Sequence, residues 1–311
     1  MGTFWQNVFS AAQQVAILYI IVAVGFICDK TGLYTEKAAK LTNNLLFHIV
    51  TPAIIIQSFL TMEFNSENFR NLMMSFLGGT ILHLAGALIS LAIFNKHEPD
   101  TKAVYKFAVS FGNVGYMVLP LAQAVVGEEG VFFCSGVLIP FNIFQFTYGM
   151  YLMKGKGSFN AKSLIVNPGI ISVAIGLPLF ILSVKLPAII MTPISHIASL
   201  NTPLAMLMFG TYLSKTELKK MFLRKETYAV AFIKLIIVPL ISLAAYKLLG
   251  MTGLLLTSLT ISASAPTATS TVMFATKYGR DNGAASQTIA VVSFLSIITM
   301  PVMIALAQAI G

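Results

Sequence analysis

Ten apolar runs of about 20 residues each fill most of this 311-residue chain, and runs of that length match the thickness of a bilayer's hydrocarbon core. They cover 9–28, 38–60, 71–94, 103–126, 130–152, 162–185, 192–213, 227–249, 251–277 and 283–309. Charged clusters or Gly- and Asn-rich turns separate them. Only 10% of the residues are charged, against roughly 25% in a soluble domain. So few charges cannot cover a water-facing surface of this size, so the solvent for most of the surface is lipid. The longest polar stretch, Ser214 to Glu226, reads as a loop, and no soluble domain is expected. The N-terminus lacks a basic region followed by a small-residue cleavage site, so the first run reads as a permanent span.

The net charge of +9 raises the question of nucleic acid. The basic residues, however, sit in short loops between apolar runs rather than in one patch. Sixteen of the twenty fall in alternate loops: Lys30, Lys37, Lys40, Lys96, Lys102, Lys106, Lys154, Lys156, Lys162, Lys215, Lys219, Lys220, Arg224, Lys225, Lys277 and Arg280. Basic loops stay in the cytoplasm. The pattern therefore predicts a multi-pass protein of the cell (inner) membrane with both termini extracytoplasmic. No nucleic-acid partner is expected.

Cys28 and Cys134 lie far apart in apolar segments and read as small buried hydrophobes, with no disulfide or metal motif. His48, His83, His97 and His196 are scattered without ligand spacing. Neither an enzyme nor a cofactor is expected.

The two halves of the chain echo each other at a nearly constant offset. Thr51-Pro52 answers Thr202-Pro203, and Gly127 and Gly130 answer Gly279 and Gly283. Five spans in each half force the second copy to enter the membrane upside down. The expected fold is all-α, with ten transmembrane helices in two inverted five-helix repeats, residues 1–152 and 162–311. Such repeats are characteristic of secondary carriers.

Two spans carry helix breakers together with short polar side chains at corresponding depths. Helix four contains Ser110-Phe111-Gly112-Asn113-Val114-Gly115-Tyr116. Helix nine contains Ser262-Ala263-Ser264-Ala265-Pro266-Thr267-Ala268-Thr269-Ser270. Glycine permits non-helical geometry, and proline lacks the donor a helix needs. A break at mid-membrane exposes the N-terminus of the next half-helix, whose free N–H groups attract an anion. Crossed breaks would bring two such termini together and favour a carboxylate. The predicted substrate-binding set from these two segments is Gly112, Asn113, Val114, Gly115, Tyr116, Ser264, Ala265, Pro266 and Thr267. Close packing of small residues is the plainer reading.

All eleven acidic residues fall in loops or at span ends, which disfavours a carboxylate-centred ion site. Two ionisable residues remain inside spans and are candidates for charge or coupling. Lys234 either snorkels to the headgroups or faces the cavity. His83 is either a hydrogen-bonded packing residue or a proton carrier. Asn142 and Gln145 follow Pro140 in helix five, and either bind substrate polar groups or join neighbouring helices.

The run Phe111-Gly112-Asn113-Val114-Gly115-Tyr116-Met117-Val118-Leu119-Pro120-Leu121 resembles the fourth helix of the auxin efflux carrier family. Asn167-Pro168-Gly169-Ile170-Ile171 resembles the start of its sixth helix. Asn201-Thr202-Pro203-Leu204-Ala205-Met206 resembles its seventh, and Ala265-Pro266 with Lys277-Tyr278-Gly279 is similar to its ninth. The resemblance covers essentially the whole chain. It implies the fold of plant PIN exporters and, more distantly, of bile-acid/sodium symporters. In that fold a scaffold, here 9–60 plus 162–213, supports a mobile transport domain, here 71–152 plus 227–309. It also implies that helices four and nine cross, and that a homodimer forms through the scaffold. Asn113 then matches the family's crossover asparagine, Pro266 its crossover proline and Asn142 a polar position near the substrate. The chain departs from the plant pattern at Gly112, where the plant proteins have proline. It also lacks their long loop between helices five and six, having only Lys154 to Lys162. Bacterial relatives are associated with dicarboxylates such as malate. The expected activity is elevator-type transport of a small organic anion, auxin-like or a dicarboxylate, with a sodium-coupled symporter as the alternative.

Overall fold

The structure, a computed structural model, describes residues 2–155, 161–215 and 224–311, and no strand occurs among them. The loop residues Lys156, Lys219, Lys220 and Glu217 lie outside the described residues. In chain order the helices are α1 (Gly2–Lys30), α2 (Glu36–Thr61), α3 (Ser66–Ala92), α4 (Pro99–Ser110), α5 (Val114–Val125), α6 (Glu128–Lys154) and α7 (Ala161–Ile165). There follow α8 (Pro168–Ile181), α9 (Ala188–Ser199), α10 (Asn201–Ser214), α11 (Lys225–Leu248), α12 (Gly253–Ser264), α13 (Ser270–Lys277) and α14 (Asn282–Ile310).

Among the described residues six helices, α1, α2, α3, α6, α11 and α14, are long and apolar enough to cross a membrane. The remaining apolar runs are cut or shortened. The run at 103–126 is cut into α4 and α5, and the run at 251–277 into α12 and α13. The run at 162–185 is shorter than its sequence suggests: α8 starts at Pro168 and stops at Ile181. The run at 192–213 begins earlier, at Ala188, and bends at Leu200 between α9 and α10.

Proline shapes several helices without ending them. Five-residue π turns at Leu46–Val50, Val114–Val118 and Ile233–Ile237 each end two residues before a proline: Pro52, Pro120 and Pro239. Proline offers no N–H, and its ring crowds the carbonyl four residues back. A wider turn there relieves the clash and re-aims the side chains it carries.

α1 packs along α10 and α14, α2 along α8 and α9, and α3 along α6 and α11. α12 fills the space between α6, α11 and α14. The α1–α10 approach is close because of two glycines. A Cβ on Gly210 would lie 2.0 Å from the Val22 carbonyl oxygen, and one on Gly25 would lie 2.2 Å from that of Leu207. Small residues of this kind let helix backbones touch in lipid. Large apolar side chains such as Phe9, Ile20, Ile189 and Ile298 are exposed, as a lipid-facing surface requires. Cys134 is buried as expected, whereas Cys28, near the end of α1, is only partly so.

Polar contacts gather at the basic ends of the helices. Arg280 meets Asp100 at 2.5 Å and donates from Nε to the Met153 carbonyl oxygen at 2.6 Å. Arg224 pairs with Asp281 at 2.9 Å, and Asp281 also accepts from Thr101 Oγ1 and from the Ala284 N–H at the start of α14. Asp29 pairs with Lys215 at 2.8 Å and accepts a short bond from Ser214.

Candidate functional site

α4 ends because the chain turns away at Phe111, with φ −121° and ψ 117°, just ahead of glycine. Ser110 closes its last turn by donating to the Lys106 carbonyl at 2.8 Å, and contacts that of Gly86 on α3 at 3.3 Å. In the second half, α12 stops at Ser264, and Ala265 is extended at φ −58° and ψ 138° before Pro266.

The two breaks meet. Gly112 and Thr267 face each other as an isolated antiparallel bridge. The Asn113 N–H donates to the Pro266 carbonyl at 2.8 Å, and the Ala268 N–H donates to the Phe111 carbonyl at 3.0 Å. Thr267 Oγ1 adds a bond to the Ala108 carbonyl at 3.0 Å. Backbone groups released by each interruption are thus satisfied by the other, away from water, where an unpaired group costs several kcal/mol. Pro266 has no donor to leave orphaned. A Cβ at Gly112 would stand in ordinary contact, 3.4 Å, with both the Cβ and the carbonyl oxygen of Ala265, and closer, 3.1 Å, to the Lys234 Nζ.

Helix resumes on the far side of each break. Asn113 caps α5 by accepting from the Tyr116 N–H at 3.3 Å through its side-chain oxygen. α13 begins at Ser270, and Thr269 contributes no side-chain cap. The first N–H groups of a helix have no intrahelical partner and carry a partial positive charge. Both half-helices therefore start, positive end first, at the same crossing.

Ser264, Ala265, Pro266, Thr267, Gly112, Asn113 and Val114 are buried there, while Gly115 and Tyr116 are half-buried. A Cβ on Gly115 would meet open space. Tyr116 donates its hydroxyl to Asn43 Oδ1 on α2 at 3.0 Å. The side-chain NH2 of Asn113 is buried with no partner. Gln145 reaches the edge of the crossing, donating to Ser270 Oγ at 3.3 Å.

Other candidates sit elsewhere or differently. Asn142 is committed at both ends: it donates to the Leu138 carbonyl at 2.8 Å and accepts from Asn167 at 3.0 Å. Asn167 in turn caps α8, accepting from the Gly169 and Ile170 N–H groups. His83 is buried on α3 with Nδ1 2.7 Å from the Gly79 carbonyl, among the rings of Phe111, Phe141 and Phe144. Lys234 does not snorkel. It is 1% exposed, and its ammonium lies beside Gly112.

Asn201 was not singled out from the sequence as a polar candidate. It stands buried at the α9–α10 bend, at the limit of hydrogen-bond contact with Thr51 Oγ1 at 3.5 Å, and its side-chain NH2 has no partner. Its signal was the repeat, since Thr51-Pro52 and Thr202-Pro203 occupy matching places in the two halves. Among the described residues, no three His, Cys, Asp or Glu side chains cluster as a metal site.

The family described as "Membrane transport protein" matches residues 10–163 and 157–304. An uncharacterized transporter of Methanocaldococcus jannaschii is 26% identical over 280 residues, covering 86% of this chain and 89% of the relative. A Rhizobium meliloti protein named "Putative malonate transporter" is 22% identical over 292 residues, 90% of each chain. An uncharacterized transporter of Methanothermobacter thermautotrophicus is 21% identical over 298 residues, 94% of this chain and 96% of the relative. With nearly the whole length matched, this multi-pass membrane chain belongs to the membrane transport protein family, that of the auxin efflux carriers.

Proposed function

We propose that the chain is a secondary carrier of small organic anions that binds a carboxylate at the crossing of its two interrupted helices. The observation that carries this reading is the reciprocal pair of bonds, Asn113 to Pro266 and Ala268 to Phe111, which holds the starts of α5 and α13 together. Two helix N-termini at one point form an anion seat. The unpartnered Asn113 NH2 is a ready donor to a carboxylate oxygen, and in this reading Gly112, Val114, Gly115, Tyr116, Ser264, Ala265, Pro266, Thr267 and Gln145 complete the seat. Malonate is the first substrate to try, since the name of one relative points to it.

The architecture of this reading has ten membrane-crossing segments in two inverted repeats, 1–152 and 162–311. Residues 9–60 and 162–213 form the scaffold, and 71–152 and 227–309 form the moving domain. Both termini are extracytoplasmic, with the Arg280–Asp100 and Arg224–Asp281 pairs at the cytoplasmic end. Transport is by an elevator movement that carries the crossing past the scaffold.

The test is flux into liposomes. Saturable malonate uptake is expected, reduced at least tenfold in Asn113→Ala by loss of a charge-assisted bond worth about 1.5–3 kcal/mol. Uptake unchanged in that variant would remove the crossing from the mechanism.

A further inference from the structure

The half-helices that end at the crossing matter as much as those that start there. α4 ends at Ser110 and α12 at Ser264, each presenting a partial negative charge of about half a unit; α5 and α13 present the positive counterparts. Taken together, the four ends cancel. Helix dipoles therefore leave the crossing as a whole without net charge, so the anion seat at the two N-terminal ends stands against two negative ends close by.

Lys234 changes that sum. It stands in the π turn Ile233–Ile237 of α11 and is 1% exposed. Its Nζ lies 3.1 Å from where a Cβ on Gly112 would be, two residues past the end of α4, and Ala265, the residue that follows α12, borders the same spot. The ammonium borders the space that glycine leaves vacant. Among the described residues no carboxylate pairs with it. The ion pairs seen there, Lys40–Glu36, Lys215–Asp29, Arg224–Asp281 and Arg280–Asp100, all lie at helix ends or in loops. His83, whose Nδ1 donates to the Gly79 carbonyl at 2.7 Å, cannot serve as a counter-ion, since an imidazole is neutral or positive and never negative. A buried ammonium without a counter-ion is costly, and the cost falls when an anion arrives nearby.

We propose that Lys234 is the positioning residue that makes the crossing selective for anions: its ammonium offsets the two inward-facing C-terminal ends and leaves the N-terminal ends as a net positive seat. This rests on the carrier reading above and assigns charge selectivity to one side chain within it. The more negative of two similar ligands gains more from that charge. The preference for a dianion over a monoanion is therefore the property that should depend on it.

The experiment compares malonate with its monoamide, malonamate, by calorimetric binding to purified full-length protein at a pH where both carboxyl groups of malonate are ionised. The wild type should prefer malonate, and Lys234→Met should shrink that preference at least tenfold, because a merely structural lesion would weaken both ligands alike. Gly112→Ala, which keeps the lysine but crowds its ammonium, should shrink the preference partially and serves if the methionine variant does not fold. Wild-type protein that binds neither ligand would overturn the carrier reading together with this one. Binding of both by the wild type, with an unchanged ratio in the variant that folds, would overturn the role of Lys234 alone.

Discussion

The Tyr19 hydroxyl donates to the Ser293 carbonyl oxygen at 2.6 Å and stands 3.0 Å from Ser296 Oγ, joining α1 to α14 across 274 residues of sequence. In the proposed elevator this bond links scaffold to moving domain, so it must break whenever the domains slide. Tyr19→Phe should destabilise the observed arrangement by about 1 kcal/mol, roughly a fivefold shift in a two-state equilibrium. Cysteine cross-linking between α1 and α14 should accordingly slow in the variant. An unchanged rate would mean that this contact persists throughout the cycle.

Gly210 is the place where α1 and α10 come closest. A methyl group there would overlap the Val22 carbonyl oxygen at 2.0 Å, and backbone cannot yield as a flexible side chain does. Gly210→Ala should cost on the order of 1–3 kcal/mol and lower the midpoint of thermal unfolding in detergent. Gly115→Ala, whose methyl would enter open space, is the control and should leave that midpoint nearly unchanged.

Asp281 holds the start of α14. Partial burial alone would raise its pKa. The Ala284 N–H, Arg224 and Thr101 outweigh that effect and hold the carboxyl below its ordinary range. A lowered folded-state pKa contributes stability that is present above the unfolded value, about 3.9, and is lost as pH falls through the folded one. Thermal stability should therefore decline on acidification below about pH 4, and Asp281→Asn should flatten that part of the profile. A variant profile with the same slope as the wild type would show that Asp281 contributes nothing to it.

Asn167 performs two tasks with one side chain. Its oxygen caps α8, and its NH2 holds Asn142 on α6. Asn167→Ala should lose about 1–2 kcal/mol, near the upper range for a cap because a second bond goes with it. Asn167→Asp retains the cap acceptor but not the NH2 donor, and should recover only part of the loss in chemical denaturation.

The breaks at Gly112 and Pro266 were legible because each apolar run paired a helix breaker with short polar residues partway along its length. Their pairing through Gly112 and Thr267 was readable only as a crossing, without its register. Backbone bonds between segments 155 residues apart, Gly112 to Thr267, leave no side-chain signature. Lys234 shows the limit from the other side. The sequence offered headgroup or cavity, and the side chain, carried on a π turn two residues ahead of Pro239, is buried beside Gly112. Asn142 carried a polar signal open to two readings, a ligand or a neighbouring helix. Its hydrogen bonds in the structure go to Leu138 and Asn167, which depends on which helix lies alongside.

The short ladder at Gly112 and Thr267 has an implication for how such proteins diversify. In the proposed reading the outline of the seat is drawn in main chain, so it tolerates exchange of neighbouring side chains, and those same exchanges would retune which molecule is accepted. A lineage built this way can acquire new cargoes by single substitutions without first having to rebuild the frame that carries them.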